Sequence, residues 1–502
     1  MIPLQEANLA ALATRVAIPT YDRRSISVGI VHLGVGAFHR SHQAVYLDQL
    51  MNLGRAREWG ICGVGVLGSD RPMQLALTTQ DCLYTVVEKD PDRAASPRVI
   101  GSIIEYLFAP DNVDRVIEKM AAPTTRIVSL TITEGGYGID VEGRFDTSAP
   151  DVVADLQRGE APATVLGLMV EALRRRRQRH LAPFTVLSCD NIQGNGRVAR
   201  EAVTVLAGLR DSELNKWVSD EGRFPSSMVD RITPATTDAD RAQLAREFDV
   251  SDLWPVVCEP FRQWIVEDSF VDGRPRLEEV GVELVGDVAP YELMKLRLLN
   301  ASHQAMCYAG YLAGFRLVHE VAQDPLFAQF LLGYMTEEAV PTLRPVPGID
   351  IPSYTGQLIV RFCNPAIRDT LARLCSNSSD LVPKFLLPVL RYQLDHGGPI
   401  VHCAAVIACW ARYAQGTDEA GGSIVVEDRR RGQVIAAAQR EDREPGAFLQ
   451  QRDIFGDLAD SERLRHAYLD ILASLRQRGV RLTLASFTPG AARVSDPRGS
   501  GR

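Results

Sequence analysis

The sequence lacks any regular spacing of cysteines. Its nine cysteines are an odd number, none are arranged as C-x-x-C, and several lie within apolar runs. This usage is typical of buried free thiols in a reducing compartment. We therefore expect a cytoplasmic protein.

An excess of basic residues is also missing. Lys and Arg total 55 against 63 Asp and Glu, which gives a formal net charge of −8, whereas a nucleic-acid binder normally presents a basic stripe. The one dense basic cluster on a predicted helix, residues 174–177 with Arg179, falls at a polar helix end and indicates a solvated face. We expect no nucleic-acid partner.

Long hydrophobic runs are absent too. The longest, residues 399–410, contains His402 and is too short to span a bilayer. The N-terminus reads M-I-P-L-Q-E and has no basic-then-apolar signal region. We expect no membrane partner.

A strand, a glycine turn and a helix follow one another near the N-terminus. The β-branched run at residues 27–33 stops at Gly34-Val-Gly36, and residues 42–52 have helical periodicity. This order forms the first unit of a dinucleotide-binding fold, in which Gly34 permits the tight turn and Gly36 lets the backbone approach a pyrophosphate. His39 stands where the third glycine of the usual G-x-G-x-x-G pattern would be, so the pattern alone is weak.

An acidic residue follows the second predicted strand, residues 59–66. Asp70 ends the segment G-S-D after that strand, where a carboxylate is placed to bind the adenosine ribose and to favour NAD over NADP. Its spacing from the glycines is longer than usual, and a surface-loop acid is the alternative interpretation.

Three further strands are predicted, at residues 84–87, 126–132 and 184–188. The last two run into polar, glycine-containing loops, as strands do at the ligand-binding edge of an open parallel sheet. Asn191 lies in the second of these loops, and an Asx turn or a helix cap is the alternative role for it.

Helical patterns replace strands beyond about residue 285. At 502 residues the chain is too long for one ordinary core. We predict an α/β protein in which residues 1–285 form a Rossmann-type dinucleotide-binding domain and residues 286–502 form a mainly α-helical substrate and catalytic domain.

One helix, predicted at residues 291–305, carries four polar groups of different chemistry. With Lys295 set to zero on an α-helix, Glu292 falls near about 60°, His303 near about 80° and Asn300 near about 140°. Such a group on an otherwise apolar helix is expected to line a cleft, and a solvated face is the alternative.

Several motifs together resemble the polyol-specific long-chain dehydrogenases, in chain order over roughly residues 28–400. They are G-V-G-A-F-H-R at 34–40, T-E-G-G-Y at 133–137, S-C-D-N at 188–191, F-P-S-S-M-V-D-R-I-T-P at 224–234, K-L-R-L-L-N-A-S-H at 295–303 and R-F-x-N-P at 361–365. The resemblance implies a Rossmann-type N-terminal domain, a mainly helical C-terminal domain, an active site in a cleft and no metal.

The resemblance also implies roles for individual residues. Lys295 matches the family's catalytic lysine, Asn191 and Asn300 its oxyanion-hole asparagines, and Glu292 the acid beside the lysine. His303 and Arg373 match its ligands of the substrate hydroxyls, with Asp230 nearby. The cofactor would contact Gly34, Gly36, Phe38, Arg40 and Asp70, of which Asp70 is the hardest to align.

These residues suit the oxidation of a secondary alcohol. The hydroxyl must lose a proton while hydride leaves the carbon, and the histidines offer no grouping with a cysteine at zinc-ligand spacing. Lys295 is then the better base, provided that burial and the nicotinamide charge favour its neutral form. The expected substrates are a small polyol, D-mannitol or a close stereoisomer, and its ketose, D-fructose.

Three other functions remain open. A hexuronate reductase acting on fructuronate or tagaturonate would need a spare cation in the cleft, which Arg373 or Lys384 could supply. A non-catalytic dinucleotide-binding regulator would have no need of the lysine, and a methyltransferase would leave the lysine helix unexplained. The sequence does not fix the oligomeric state, and a monomer is expected.

Overall fold

The structure is a computed structural model that describes residues 1–139, 144–158 and 161–486. Its contacts divide the chain into two compact units, Met1–Glu292 and Leu293–Arg502. The change from strand to helix patterns in the sequence predicts a boundary near residue 285, and the division lies a few residues after it. The cofactor and substrate roles assigned to the two regions stay predictions.

All the named strands belong to the first unit. They are β1 (Ile2–Pro3), β2 (Val28–Leu33), β3 (Gly60–Gly65), β4 (Tyr84–Glu88), β5 (Ser96–Ile100), β6 (Ile103–Phe108), β7 (Ile127–Leu130), β8 (Thr185–Ser188), β9 (Ser227–Asp230), β10 (Val250–Ser251), β11 (Val256–Cys258), β12 (Gln263–Glu267) and β13 (Glu283–Val285).

Five parallel strands form the central sheet, in the order β6-β3-β2-β7-β8. Numbered along the chain within this sheet, the order is 3-2-1-4-5, which is the doubly wound Rossmann arrangement. The predicted Rossmann-type fold is therefore confirmed. The strand order reverses between β2 and β7, so the crevice at their carboxyl ends is where such a sheet binds its ligand.

The strand predicted at residues 84–87 is real but lies outside this sheet. As β4 it pairs with β5 and β11 in a separate three-stranded sheet, and β6 takes the third place in the central one. Buried strands look alike in sequence whichever sheet they join, because only their pairing partners differ.

The helices that begin in the first unit are α1 (Leu9–Leu12), α2 (Ala37–Ser41), α3 (Gln43–Asn52), α4 (Arg71–Thr79), α5 (Val113–Ala121), α6 (Pro150–Arg158), α7 (Val165–Gln178), α8 (Asn195–Arg210), α9 (Ser212–Glu221), α10 (Asp238–Phe248) and α11 (Ala289–Met294). Apolar residues cover both faces of the central sheet: Val31 and Leu33 of β2 join one buried cluster, and Ile30 joins another. This alternation is the burial expected of a parallel sheet between two helical layers.

The second unit is helical. It contains α12 (Ala301–Leu312), α13 (Val318–Gln323), α14 (Pro325–Gly333), α15 (Ile351–Phe362), α16 (Leu371–Cys375), α17 (Ser378–Phe385), α18 (Leu387–Asp395), α19 (Val401–Ala414), α20 (Arg431–Arg440), α21 (Arg452–Phe455) and α22 (Glu462–Ala485), with π-helices at Lys295–Asn300 and Tyr334–Ala339. Within the described ranges, no helix combines the length and the apolar character needed to cross a membrane.

The helix predicted at residues 291–305 is not α-helical throughout. Helix α11, the π-helix Lys295–Asn300 and α12 follow one another with no residue between them. A π-helix bonds residues five apart and so holds more residues in each turn than an α-helix. Lys295 and Asn300, five residues apart, are therefore closer in direction than the angle of about 140° that α-helical geometry predicted.

Candidate active site

The glycine turn connects β2 to α2. Gly34 has φ of +91°, and a Cβ atom added there would lie 2.2 Å from the carbonyl oxygen of Thr131, at the end of β7. Glycine is required at this position both for the backbone conformation and for the approach of the two strand ends. A Cβ added at Gly36 would meet no protein atom within 4 Å, so the space over Gly36 is open.

His39, in place of the third glycine, packs under the turn. Its ring stacks on that of His32 in β2, with centroids 3.4 Å apart and planes 11° apart. His32 contacts Ser129 Oγ at 2.8 Å and Thr131 Oγ1 at 2.9 Å. Burial lowers the pKa of His32 to about 3 and that of His39 well below its ordinary value, so both imidazoles are neutral. Their stacked rings join α2 to β2 at the position where a glycine usually allows close packing of the helix on the strand.

Phe38 and Arg40, predicted to contact the cofactor, have different surroundings. Phe38 is half-buried and stacks on His42, with ring centroids 4.9 Å apart. Arg40 is only 1% exposed, and its guanidinium donates a hydrogen bond to the carbonyl of Trp254. A direct contact between Arg40 and a cofactor would therefore require this side chain to move, and its position indicates that it supports α2 from within.

Asp70 closes the loop after β3. Its Oδ2 accepts hydrogen bonds from the backbone N–H groups of Val66 and Leu67, both at 2.9 Å. The other carboxylate oxygen, Oδ1, accepts none from the described residues. Asp70 thus closes its own loop, as the alternative interpretation of a surface-loop acid expected. The predicted contact with the cofactor ribose would have to be made by Oδ1.

Asp190 joins the two loops that leave the carboxyl ends of β7 and β8. Its carboxylate accepts hydrogen bonds from Ile132 N at 3.1 Å, Thr133 N at 2.9 Å and the Tyr137 hydroxyl at 2.7 Å. Thr133 has φ of +60°, an uncommon conformation for a β-branched residue. Asp190 precedes the predicted oxyanion-hole residue Asn191, which is exposed, so these bonds restrain the backbone that carries Asn191.

Asn195, the first residue of α8, connects the same loop to β9. Its amide nitrogen donates to Asp190 O at 3.0 Å and Ser227 O at 2.8 Å, and its oxygen accepts from Ser227 N at 3.0 Å. Strand β9 ends at Asp230, which is 3% exposed. The predicted site residues Asn191 and Asp230 are thus held on a shared backbone frame by a buried amide.

Glu292, in α11, reaches the same loop. Its Oε2 accepts a hydrogen bond from Gly194 N at 3.0 Å, and Gly194 has φ of +62°. The Glu292 side chain is buried, at 6% exposure. The first unit therefore brings together Asn191, Glu292 and the frame beneath Asp230.

The second unit holds Lys295, Asn300 and His303 on consecutive helical turns. Lys295 is 6% exposed and His303 is 9% exposed, which excludes the solvated face that was the alternative interpretation. The His303 ring packs on Phe362, at the end of α15, with centroids 5.0 Å apart. A buried lysine costs considerable desolvation free energy and is found mainly where its chemistry is used.

Arg373 lies on α16, which packs against the helix α12 that carries His303. Its Nε donates to Asp369 Oδ1 at 2.7 Å and its Nη2 to Asp369 Oδ2 at 2.5 Å. The Asp369 side chain is 4% exposed and that of Arg373 is 53% exposed. The predicted substrate ligand is thus a guanidinium held by a buried carboxylate.

The sequence reasoning missed three residues that hold the site: Asp190, Asn195 and Asp369. Asp190 stood within the S-C-D-N motif, beside Asn191, and could have been singled out there. The other two gave no signal, because their partners are recognised only once the chain is folded. In the described part of the chain, no group of three or more His, Cys, Asp and Glu side chains could hold a metal ion.

Family models cover most of the chain. The mannitol dehydrogenase Rossmann domain matches residues 28–279, and the mannitol dehydrogenase C-terminal domain matches residues 287–475. Among curated proteins, mannitol 2-dehydrogenase of Phaeosphaeria nodorum is 44% identical over 491 residues, covering 97% of this chain and 86% of that protein. That of Aspergillus fumigatus is 44% identical over 498 residues, covering 97% and 99%.

Two solved structures are similar over nearly the whole chain. A ternary complex of Pseudomonas fluorescens mannitol 2-dehydrogenase with NAD and D-mannitol has 43% identity and a TM-score of 0.90, and it covers 96% of this chain and 99% of its own. A D-sorbitol dehydrogenase in substrate-free form has 37% identity and a TM-score of 0.86, covering 96% and 100%.

Proposed function

The chain belongs to the mannitol dehydrogenase family, and we propose that it is an NAD-dependent polyol dehydrogenase that oxidises D-mannitol to D-fructose and catalyses the reverse reduction. The observation that carries the proposal is the buried Lys295, which shares a helix with Asn300 and His303, in a chain similar over its length to mannitol 2-dehydrogenases.

The residues of the first unit fit a dinucleotide. Open space over Gly36 leaves room for a pyrophosphate at the carboxyl end of β2, beside the point where the strand order reverses. Gly34, Gly36 and the backbone of α2 would hold the phosphates, and Asp70 Oδ1 would meet the ribose. When bound, NAD supplies the acceptor for the hydride that leaves the carbinol carbon.

Lys295 acts as the general base in oxidation. Its amine takes the proton of the substrate hydroxyl while the carbon loses hydride, and in the reverse direction its ammonium returns that proton to the ketose oxygen. A positioned acid/base group accelerates such a step by about 10²–10⁴-fold. Oxidation requires Lys295 in its neutral amine form, because only that form can accept the hydroxyl proton.

Asn191 and Asn300 stabilise the alkoxide that develops in the transition state. An amide N–H of each donates to the oxygen as it gains charge, and each such donor is worth about 2.7–4 kcal/mol in other enzymes. The π-helix supports this role for Asn300, because it turns Asn300 towards the direction of Lys295.

The remaining polar residues orient the substrate and move the proton onward. His303 and Arg373 donate to neighbouring hydroxyls, with Asp230 near them. Glu292, one helical turn before Lys295, accepts the proton from the lysine and passes it to water. With Lys295 as the acid/base group the reaction needs no metal, and activity should survive treatment with EDTA.

Replacing Lys295 by Ala tests the proposal. The kcat for D-mannitol oxidation should fall by about 10²–10⁴-fold, while the dissociation constant of NADH, measured by fluorescence titration, should stay within about threefold because the amine acts on the substrate. Lys216→Ala, at an exposed lysine of α9, is the matched control. Turnover of Lys295→Ala within about tenfold of the parent would remove Lys295 from the mechanism.

Two alternatives differ in substrate. The similarity to a D-sorbitol dehydrogenase at 37% identity makes D-sorbitol the second polyol to assay. A hexuronate reductase would instead oxidise D-mannonate with NAD. A panel of D-mannitol, D-sorbitol and D-mannonate with NAD and NADP separates these activities, and no oxidation of either polyol would reject the proposal.

We propose that the enzyme is cytoplasmic and acts as a monomer. Size-exclusion chromatography with light scattering tests the second point, since a monomer of 502 residues has a mass of 55.2 kDa.

A further inference from the structure

Arg373 and Asp369 form an i, i+4 ion pair. Two nitrogens of the guanidinium meet the two carboxylate oxygens, at 2.7 and 2.5 Å. Asp369 Oδ1 also accepts the backbone N–H of Thr370 at 2.9 Å, and Thr370 caps α16 through a bond from Arg373 N to its hydroxyl at 3.3 Å. The ion pair fixes the guanidinium of Arg373 through Nε and Nη2, and the cap fixes the backbone of the same residue.

The pairing also cancels the charge of Arg373. Fork-to-fork geometry is the strongest form of Arg–carboxylate pairing, and Asp369, at 4% exposure, has its charge shielded from water. The remaining nitrogen, Nη1, makes no hydrogen bond with a described residue. Arg373 can therefore donate a hydrogen bond through Nη1 while the pair as a whole presents no net charge.

We propose that Asp369 determines specificity for uncharged polyols over sugar acids of the same length. The inference rests on the proposed function, in which Arg373 holds a substrate hydroxyl. A hydroxyl needs only a donor, which Nη1 provides. A carboxylate needs a cation to replace its hydration. Arg373 is already paired with Asp369, so the pair offers no net positive charge to a second carboxylate.

The variant Asp369→Asn isolates this role, because it keeps the size of the side chain and removes its charge. The quantity to measure is kcat/KM with NAD for D-mannonate divided by kcat/KM for D-mannitol. We expect this ratio to rise at least 30-fold, through a loss with mannitol as Arg373 becomes less fixed and a gain with mannonate. The double variant Asp369→Asn/Arg373→Gln should lose the gain with mannonate.

Asp350→Asn is the matched control. Asp350 is exposed and caps α15 by accepting Ser353 N at 3.0 Å, a bond that Asn can also accept, so the ratio should not change. A ratio in Asp369→Asn within threefold of the parent, in an enzyme that oxidises mannitol, overturns the inference. A parent chain that oxidises neither polyol overturns the proposed function instead.

A measurement on the unmodified enzyme keeps the inference testable if Asp369→Asn does not fold. D-mannonate should inhibit mannitol oxidation weakly, and the inhibition constant should change less than twofold between 50 and 500 mM NaCl, because no net charge at Arg373 attracts the carboxylate. Strong inhibition that weakens steeply with salt would show an available cation and overturn the inference.

Discussion

The hydroxyl of Tyr137 donates a 2.7 Å hydrogen bond to the carboxylate of Asp190, 53 residues further along the chain. The same carboxylate accepts the backbone N–H groups of Ile132 and Thr133, and burial raises its pKa. One side chain thus ties the loop after β7 to the loop that carries Asn191.

Asp190→Asn should therefore impair turnover. An amide places an N–H₂ group against at least one of the three donors, so the two loops separate, and a displacement of about 1 Å at a reacting group costs on the order of 10²-fold in rate. We expect kcat for D-fructose reduction to fall by about that factor. Asp146→Asn, in an exposed turn closed by Ser148, is the control. A kcat of Asp190→Asn within threefold of the parent would show that Asp190 does not position Asn191.

Gly36→Ala should weaken cofactor binding without destabilising the protein. An added Cβ meets no protein atom there, so the thermal midpoint should move by less than about 2 °C, whereas the dissociation constant of NADH should rise at least tenfold. Gly34→Ala should behave differently, because its Cβ would clash with Thr131 O and its φ is positive; we expect a lower midpoint. Unchanged NADH affinity in Gly36→Ala would place the pyrophosphate elsewhere.

The side chain of Glu338 caps the N-terminus of helix α19, although His402 lies 64 residues further along the chain. It is fully buried, and its two carboxylate oxygens accept His402 N at 2.6 Å and Cys403 N at 2.9 Å. Hydrogen bonds to a charged group contribute about 1.5–3 kcal/mol each, so Glu338→Gln should lower the free energy of unfolding by about 2–4 kcal/mol, measured by urea titration. Glu337→Gln, at the exposed neighbouring residue, should change it by less than about 0.5 kcal/mol.

Acid should destabilise the first unit through its buried histidines. Burial lowers the pKa of His32 and of His42 to about 3, from an ordinary value of about 6.5. Between these values the unfolded chain binds protons that the folded chain does not. The free energy of unfolding should therefore fall as the pH drops from 6.5 towards 3, by about 1.4 kcal/mol per pH unit for each imidazole.

Urea titrations at pH 7, 6 and 5 measure this slope. His32→Asn should make it shallower, whereas His466→Asn, at a side chain 74% exposed, should leave it unchanged. Histidine C–H resonances in the NMR spectrum give a second measurement. Titration of the His32 imidazole near pH 6.5 in the folded protein would contradict the prediction.

The sheet and its glycine turn could be predicted from sequence because their signals are local. The run before Gly34 is rich in β-branched residues, and the turn itself needs a residue that tolerates positive φ. Pairing partners are not local, which is why residues 84–87 were recognised as a strand without their separate sheet. The burial of Arg40 could not be predicted, because it depends on Trp254, more than 200 positions away.

In the candidate site, the proposed catalytic residues could be predicted from the sequence, whereas the residues that hold them in position could not. Lys295, Asn300 and His303 share one helix, so their spacing was visible in the sequence. Nothing in K-L-R-L-L-N distinguishes a π-helix from an α-helix, since both use the same residues and differ by one position in hydrogen bonding. Asp190 and Asp369 act through contacts that only the folded chain creates.

The wide turn at Lys295–Asn300 accommodates one residue more than ordinary helical closure would. If the same residues closed with four-residue bonding, Asn300 would lie about 140° from Lys295 around the helix. Removing one residue between them, such as Leu298, together with that closure would bring the two to about 40°. The extra residue and the wide turn therefore compensate each other, and a change that altered only one of them would turn the proposed base away from the proposed oxyanion-hole amide.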